Sequence, residues 1–172
     1  MKGKQTIWDM VRSLAIIGVV AGGIYLAVPH DDKADPTHVV DYRIETITAR
    51  RAAPYPVGSP VGLKEEWRAT SVTYDRKAGN AWHLGFLDPR QQYAAVEQSS
   101  DTSPKYLEKV TQQAKATGST QRVGDLSYER WEGPKYRALV RQEQGHVTVV
   151  TGTGSFGELS ELAAALEFKQ GA

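Results

Sequence analysis

No cysteine occurs anywhere in the 172 residues. Disulfides, thiolate metal centres and cysteine nucleophiles are excluded together, so an exported form of this chain must be held by its core alone. A charge excess is missing too. Lys and Arg number 21 against 20 Asp and Glu, a formal net charge of +1, and no surface built to track nucleic acid follows from that balance. Histidine is scarce: His30 and His38 lie in a polar stretch near the start, which leaves His83 and His146 for domain chemistry. Paired carboxylates and metal ligands at diagnostic spacings are absent, and so is the serine-elbow pattern G-x-S-x-G, because Ser155 follows Gly154 directly. These absences point away from an enzyme of recognised type, and no cofactor or metal is expected.

Long apolar runs are also missing, with one exception. Ser13 to Val28 reads SLAIIGVVAGGIYLAV without a charge. As a helix it reaches about 24 Å at 1.5 Å per residue, short of a hydrocarbon core of about 30 Å. Trp8, Met10 and Val11 extend its apolar surface, Arg12 can snorkel toward head groups, and Trp8 and Tyr25 suit the two interfaces. The run is read as a single transmembrane anchor at 13–28. A cleaved signal peptide is the alternative, given basic Lys2 and Lys4, but no small-x-small pair precedes Pro29; a buried core helix is a third reading. Lys2, Lys4 and Arg12 before the run, with Asp31, Asp32 and Asp35 after it, orient the N-terminus, residues 1–12, to the cytoplasm. The remainder is therefore expected outside. Gly18 and Gly22 form a G-x-x-x-G pair on one face of the anchor, a spacing that allows a parallel homodimer by close backbone approach.

Residues 29–38 are polar, acidic and carry two prolines, so they read as a linker, and 39–172 then form one extracytoplasmic domain. From His38 to Thr48 apolar and charged residues alternate as in a strand, and 49–63, with three prolines and two glycines, is expected to cross the surface in irregular extended form. Strands are predicted at Trp67–Tyr74, Ala81–Leu87 and Tyr93–Gln98. A helix follows, opened by Ser103 and Pro104 and closed by Gly118 after Thr117. Strands at Asp125–Glu132, Tyr136–Gln142 and Val147–Thr151 and a helix striped by Phe156, Leu159, Leu162 and Leu166 complete the chain. The resulting fold class is α+β, a twisted antiparallel sheet of about six or seven strands with two packed helices. The two halves suggest a repeat of three strands and a helix.

The segments Val40-Asp41-Tyr42-Arg43, Ala53-Pro54-Tyr55-Pro56-Val57, Trp82-His83-Leu84-Gly85-Phe86, Leu87-Asp88-Pro89, Glu132-Gly133-Pro134-Lys135-Tyr136 and Val150-Thr151-Gly152-Thr153 carry a resemblance. The chain resembles the actinobacterial domain of unknown function 4245 family nearly end to end. That resemblance implies single-pass membrane proteins of the cell envelope with one small outer domain, and no assigned activity from which site residues could be transferred.

Two motifs remain. Gly152-Thr153-Gly154-Ser155-Phe156-Gly157 matches the dinucleotide fingerprint literally, but the fingerprint needs a parallel strand after the helix and an acidic residue about twenty positions on, which are not expected before Ala172, whereas Ser155 with Glu158 makes an S-x-x-E capping box. Among the aromatics, Trp67, Tyr74, Trp82, Phe86, Tyr93, Tyr128, Trp131 and Tyr136 are either core or pocket wall. His83 alternates to the face opposite Trp82, Leu84 and Phe86, and Trp82, His83 and Trp131 are the candidate ligand-binding residues should a pocket exist. Expected partners are the lipid bilayer and an envelope protein or ligand.

Overall fold

The computed structural model describes residues 10–12, 14, 17 and 39–171. The chain divides into two units, Met1–Pro36 and Thr37–Ala172. In the first, Met10, Val11, Arg12, Leu14 and Ile17 are helical, and the four apolar side chains among them are exposed. The rest of the expected anchor, Gly18 and Gly22 included, and the linker to His38 lie outside the described residues. Among the described residues no helix is long and apolar enough to cross a membrane.

The second unit is a sheet-rich α+β domain. Its elements run α1 (Arg43–Ala52), β1 (Val57–Pro60), β2 (Arg68–Asp75), β3 (Ala81–Leu87), β4 (Tyr93–Ser99), α2 (Pro104–Val110), β5 (Lys115–Val123), β6 (Leu126–Glu132), β7 (Arg137–Glu143), β8 (His146–Gly152), α3 (Phe156–Ala164) and β9 (Leu166–Lys169). Seven strands form one antiparallel sheet in the order β2-β3-β4-β8-β7-β6-β5, and β1 pairs with β9 in a separate two-stranded sheet.

Period-two alternation assigns the two faces of the large sheet. On the inner face Trp82, Leu84, Phe86, Val96, Leu139 and Val150 pack with Val57 of β1, Ala49 of α1 and Leu159 and Leu162 of α3. The outer face carries Ala138, Val140, Val147 and Val149 under Leu107 of α2. The helices that follow the two three-strand halves thus cover opposite faces, so the halves do not repeat as strand-and-helix units.

Several expectations from sequence need correction. Residues 39–48 are not a strand, because α1 starts at Arg43 and turns Thr46 and Ala49, rather than an alternating apolar set, inward. The proline-rich segment after it is not irregular throughout: β1 lies across the inner face, tied down by Gln98, whose Oε1 accepts from Gly58 N–H at 2.7 Å and whose Nε2 donates to the Pro56 carbonyl at 3.2 Å and to Thr148 Oγ1 at 3.0 Å. Ser103 does cap α2, accepting from Tyr106 N–H, but the helix ends at Val110, since Gln112 and Gln113 adopt φ of +52° and +66° and turn the chain into β5. Gly118 lies inside that strand. Three helices, not two, therefore pack in residues 39–171. The capping box at α3 is present as the S-x-x-E spacing predicts: Glu158 N–H donates to Ser155 Oγ at 3.3 Å and Ser155 N–H to Glu158 Oε2 at 2.6 Å.

Candidate functional site

The hairpin of β3 and β4 turns at Asp88–Gln92, where the Asp88 carboxylate accepts from Arg90 and Gln92 N–H at 2.8 and 2.7 Å. That turn sets Leu87 opposite Tyr93, and the register then sets His83 opposite Glu97 on the outer face. His83 Nδ1 and Glu97 Oε1 are 2.6 Å apart, with side-chain exposures of only 27% and 14%. On its other side His83 Nε2 lies 2.8 Å from Ser71 Oγ of β2. With Nδ1–H donating to the carboxylate, Nε2 accepts from the serine hydroxyl, and the three side chains form one hydrogen-bonded row across three strands.

Gly85 makes the row possible. A Cβ there would collide with Ser71 Oγ and come within 3.3 Å of His83 Nε2. The bulge between Ala69 and Ser71 in β2 keeps Ala69 buried inward while Ser71 pairs with Gly85.

Beside this row the outer face, α2 and Tyr136 border an open cavity of about 410 Å³. His83, Glu97, Tyr93, Tyr136 and Thr151 line its inner part, Tyr106 and Val110 of α2 its wall, and Asp75, Lys109 and Gln112 its exposed rim. The Tyr93 and Tyr136 rings stand 6.3 Å apart at 59°. Burial would push the His83 imidazole down, but the hydrogen bond and charge of Glu97 outweigh it, so His83 holds its proton more tightly than usual. Burial, with the Glu97 charge behind it, raises the Tyr93 and Tyr106 hydroxyls. Both tyrosines therefore stay neutral hydrogen-bonding groups at any physiological pH. The Tyr106 hydroxyl is buried without a hydrogen-bond partner at normal distance.

Of the three candidate ligand-binding residues Trp82, His83 and Trp131, only His83 lines this cavity, whereas Tyr93 and Tyr136, named as core or pocket wall, line it as well. Trp82 is fully buried on the inner face and donates from Nε1 to the Gly58 carbonyl at 3.0 Å. Trp131 shares the outer face with His83 but packs against the Leu107 cluster and donates to its own neighbour Glu129 at 2.7 Å. His146 opens β8, is buried, and stacks on Tyr55 with ring centroids 5.0 Å apart. Sequence reasoning missed Glu97, although the turn position alone fixes it opposite His83. Ser71 gave no such signal, since its pairing depends on the bulge.

The glycine-rich loop before α3 borders a separate cavity that contains its own anion, because Glu158 sits there with Arg90 Nη1 at 3.1 Å. Among the described residues no cluster of three or more ligating side chains is placed to hold a metal ion. The model of the family described as "Protein of unknown function (DUF4245)" matches residues 2–166. No curated protein matches the chain.

Proposed function

This chain belongs to the DUF4245 family, and from that premise we propose a membrane-anchored, extracytoplasmic domain that binds a small ligand or envelope component without transforming it. The observation that carries the reading is the outer-face cavity, where a hydrogen-bonded imidazole and carboxylate, three tyrosines and a buried threonine converge beside α2. Such a mixture of aromatic wall and few oriented polar groups suits recognition. The uncharged run at 13–28 and the charge asymmetry of its flanks support a location at the outer face of the cytoplasmic membrane. The exposed apolar side chains of Met10, Val11, Leu14 and Ile17 support it as well.

The test is native mass spectrometry of the full chain extracted from its own membranes. A bound small molecule should accompany the parent and be lost from Tyr93→Ala and Tyr106→Ala. Equal recovery from all three, or none from the parent, removes the cavity as the binding site.

A second reading, an enzyme on envelope substrates, is favoured by one observation, the Ser71–His83–Glu97 row. In it His83 Nε2 would take the Ser71 proton while Glu97 holds Nδ1–H. Against it, Ser71 is not among the residues that line the cavity. A fluorophosphonate probe should leave Ser71 unlabelled; labelling that disappears in both Ser71→Ala and Glu97→Gln would replace binding with catalysis.

A further inference from the structure

Polarity is inverted on α1. Its sequence RIETITARRA turns Thr46 and Ala49 into the domain and leaves Ile44 and Ile47 outside, 74% and 51% exposed. The inward residues are chemically satisfied there, since Thr46 Oγ1 donates to the Tyr42 carbonyl at 2.7 Å and Ala49 belongs to the inner-face core. Val39 is 66% exposed as well. In residues 39–171 only Val61 joins these three as a large exposed apolar side chain, so the domain's surface hydrophobics concentrate in the nine positions that follow the linker. Arg51, one turn beyond Ile47, is exposed and has no ion pair among the described residues, whereas Arg43 is held by Asp41 at 2.7 Å.

We propose that the outward stripe of α1 rests on a phospholipid surface, with Ile44 and Ile47 at the boundary of head groups and acyl chains and the Arg51 guanidinium on a lipid phosphate. This rests on the anchor reading above. The uncharged run ends at Val28 and α1 begins at Arg43, so the residues between span at most about 48 Å even when fully extended. An apolar stripe flanked by arginine is the chemistry of an interfacial helix, and a weak surface contact becomes effective when a tether supplies the local concentration. A second copy of the chain fits less well. A stable protein interface buries about 800 Å² per partner, which one stripe of a ten-residue helix with two isoleucines does not supply.

The absence of cysteine makes the test direct, because Ile47→Cys gives one labelling position for a nitroxide in the full chain. The chain is reconstituted in vesicles of phosphatidylcholine and phosphatidylglycerol, and collision with oxygen is compared with collision with a water-soluble nickel chelate. Lys135→Cys, in the exposed turn between β6 and β7, is the aqueous reference, and Ile44→Cys repeats the measurement one turn earlier. The ratio of oxygen to nickel accessibility should be several-fold higher at 47 and 44 than at 135, and Arg51→Glu should lower it. A chain that floats with the vesicles but gives the same ratio at all three positions overturns the lipid contact and leaves the anchor standing. Labels at 44 and 47 shielded from both reagents also overturn it, in favour of a protein partner. A chain that does not float removes the anchor reading and this one together.

Discussion

His83 Nδ1 stands 2.6 Å from Glu97 Oε1 at directly paired positions of β3 and β4. Burial opposes the charged imidazole there and Glu97 more than restores it. The His83 ring should therefore titrate above its ordinary value of 6.5 in an NMR titration. In Glu97→Gln it should fall below that value, because burial then acts alone. For stability the sign follows from the raised folded-state value. The pair's contribution is complete below about pH 6.5 and is lost as pH rises through the folded value. The loss should be of the order of 1 kcal/mol, discounted for the partial exposure of His83. Urea unfolding from pH 6 upward measures it, and a wild-type slope no steeper than that of His83→Gln would contradict the pairing.

Gly85 and Ser71 should behave as a coupled pair. Gly85→Ala places a methyl on Ser71 Oγ, with the His83 and Tyr93 rings next at 3.3 and 3.4 Å. The expected cost is about 1–3 kcal/mol of overpacking. On a Ser71→Ala background the obstructing hydroxyl is gone, so the same substitution should cost less by about 1 kcal/mol in a double-mutant cycle. Strict additivity would mean that the two residues do not meet.

These contacts mark where the sequence was legible. Strands β2, β3, β4, β6, β7 and β8 announce themselves because one face of each is apolar and turn residues separate them, and the face of His83 follows from the same alternation. The edge strand β5 is different. Its residues from Lys115 to Thr120 are all exposed, so no alternation sets it apart from a continuing helix, and the real stop, two glutamines in the left-handed region, has no compositional mark. In α1 the burial of Thr46 and Ala49 beneath exposed isoleucines hides the helical period altogether. Within the site His83 was readable, but Glu97 was missed although the register sets it opposite His83. The tyrosines became a wall only once α2 was placed over one part of the outer face.

Gln98 should be among the costlier polar side chains to remove. It is fully buried, and its amide satisfies the Gly58 N–H and the Pro56 carbonyl where β1 crosses the sheet. Gln98→Leu leaves both backbone groups without their partner in the core, for a loss of about 2–4 kcal/mol in urea unfolding. Gln98→Glu keeps the acceptor for Gly58 but removes the donor to Pro56 and Thr148 and adds a buried charge, so it should show no rescue at neutral pH. A loss below about 0.5 kcal/mol for Gln98→Leu would mean that water reaches these groups.

The proposed membrane orientation rests on three cations before the uncharged run and three aspartates soon after it, Lys2, Lys4 and Arg12 against Asp31, Asp32 and Asp35. Cationic flanks are retained on the cytoplasmic side, so the domain beyond residue 38 should be translocated. A reporter that is active only outside the cytoplasmic membrane should work when fused after Ala172, while a tag at the N-terminus should resist protease in intact cells. The same charges supply the control. Replacing Lys2, Lys4 and Arg12 with Glu removes the retained side, and reporter activity should fall as part of the population inserts the other way round. Release of the reporter into the medium in the parent would show that the run is cleaved as a signal peptide. Activity of a strictly cytoplasmic reporter at the same fusion point would place the domain inside and take the cavity of His83, Glu97 and Tyr93 away from any envelope ligand.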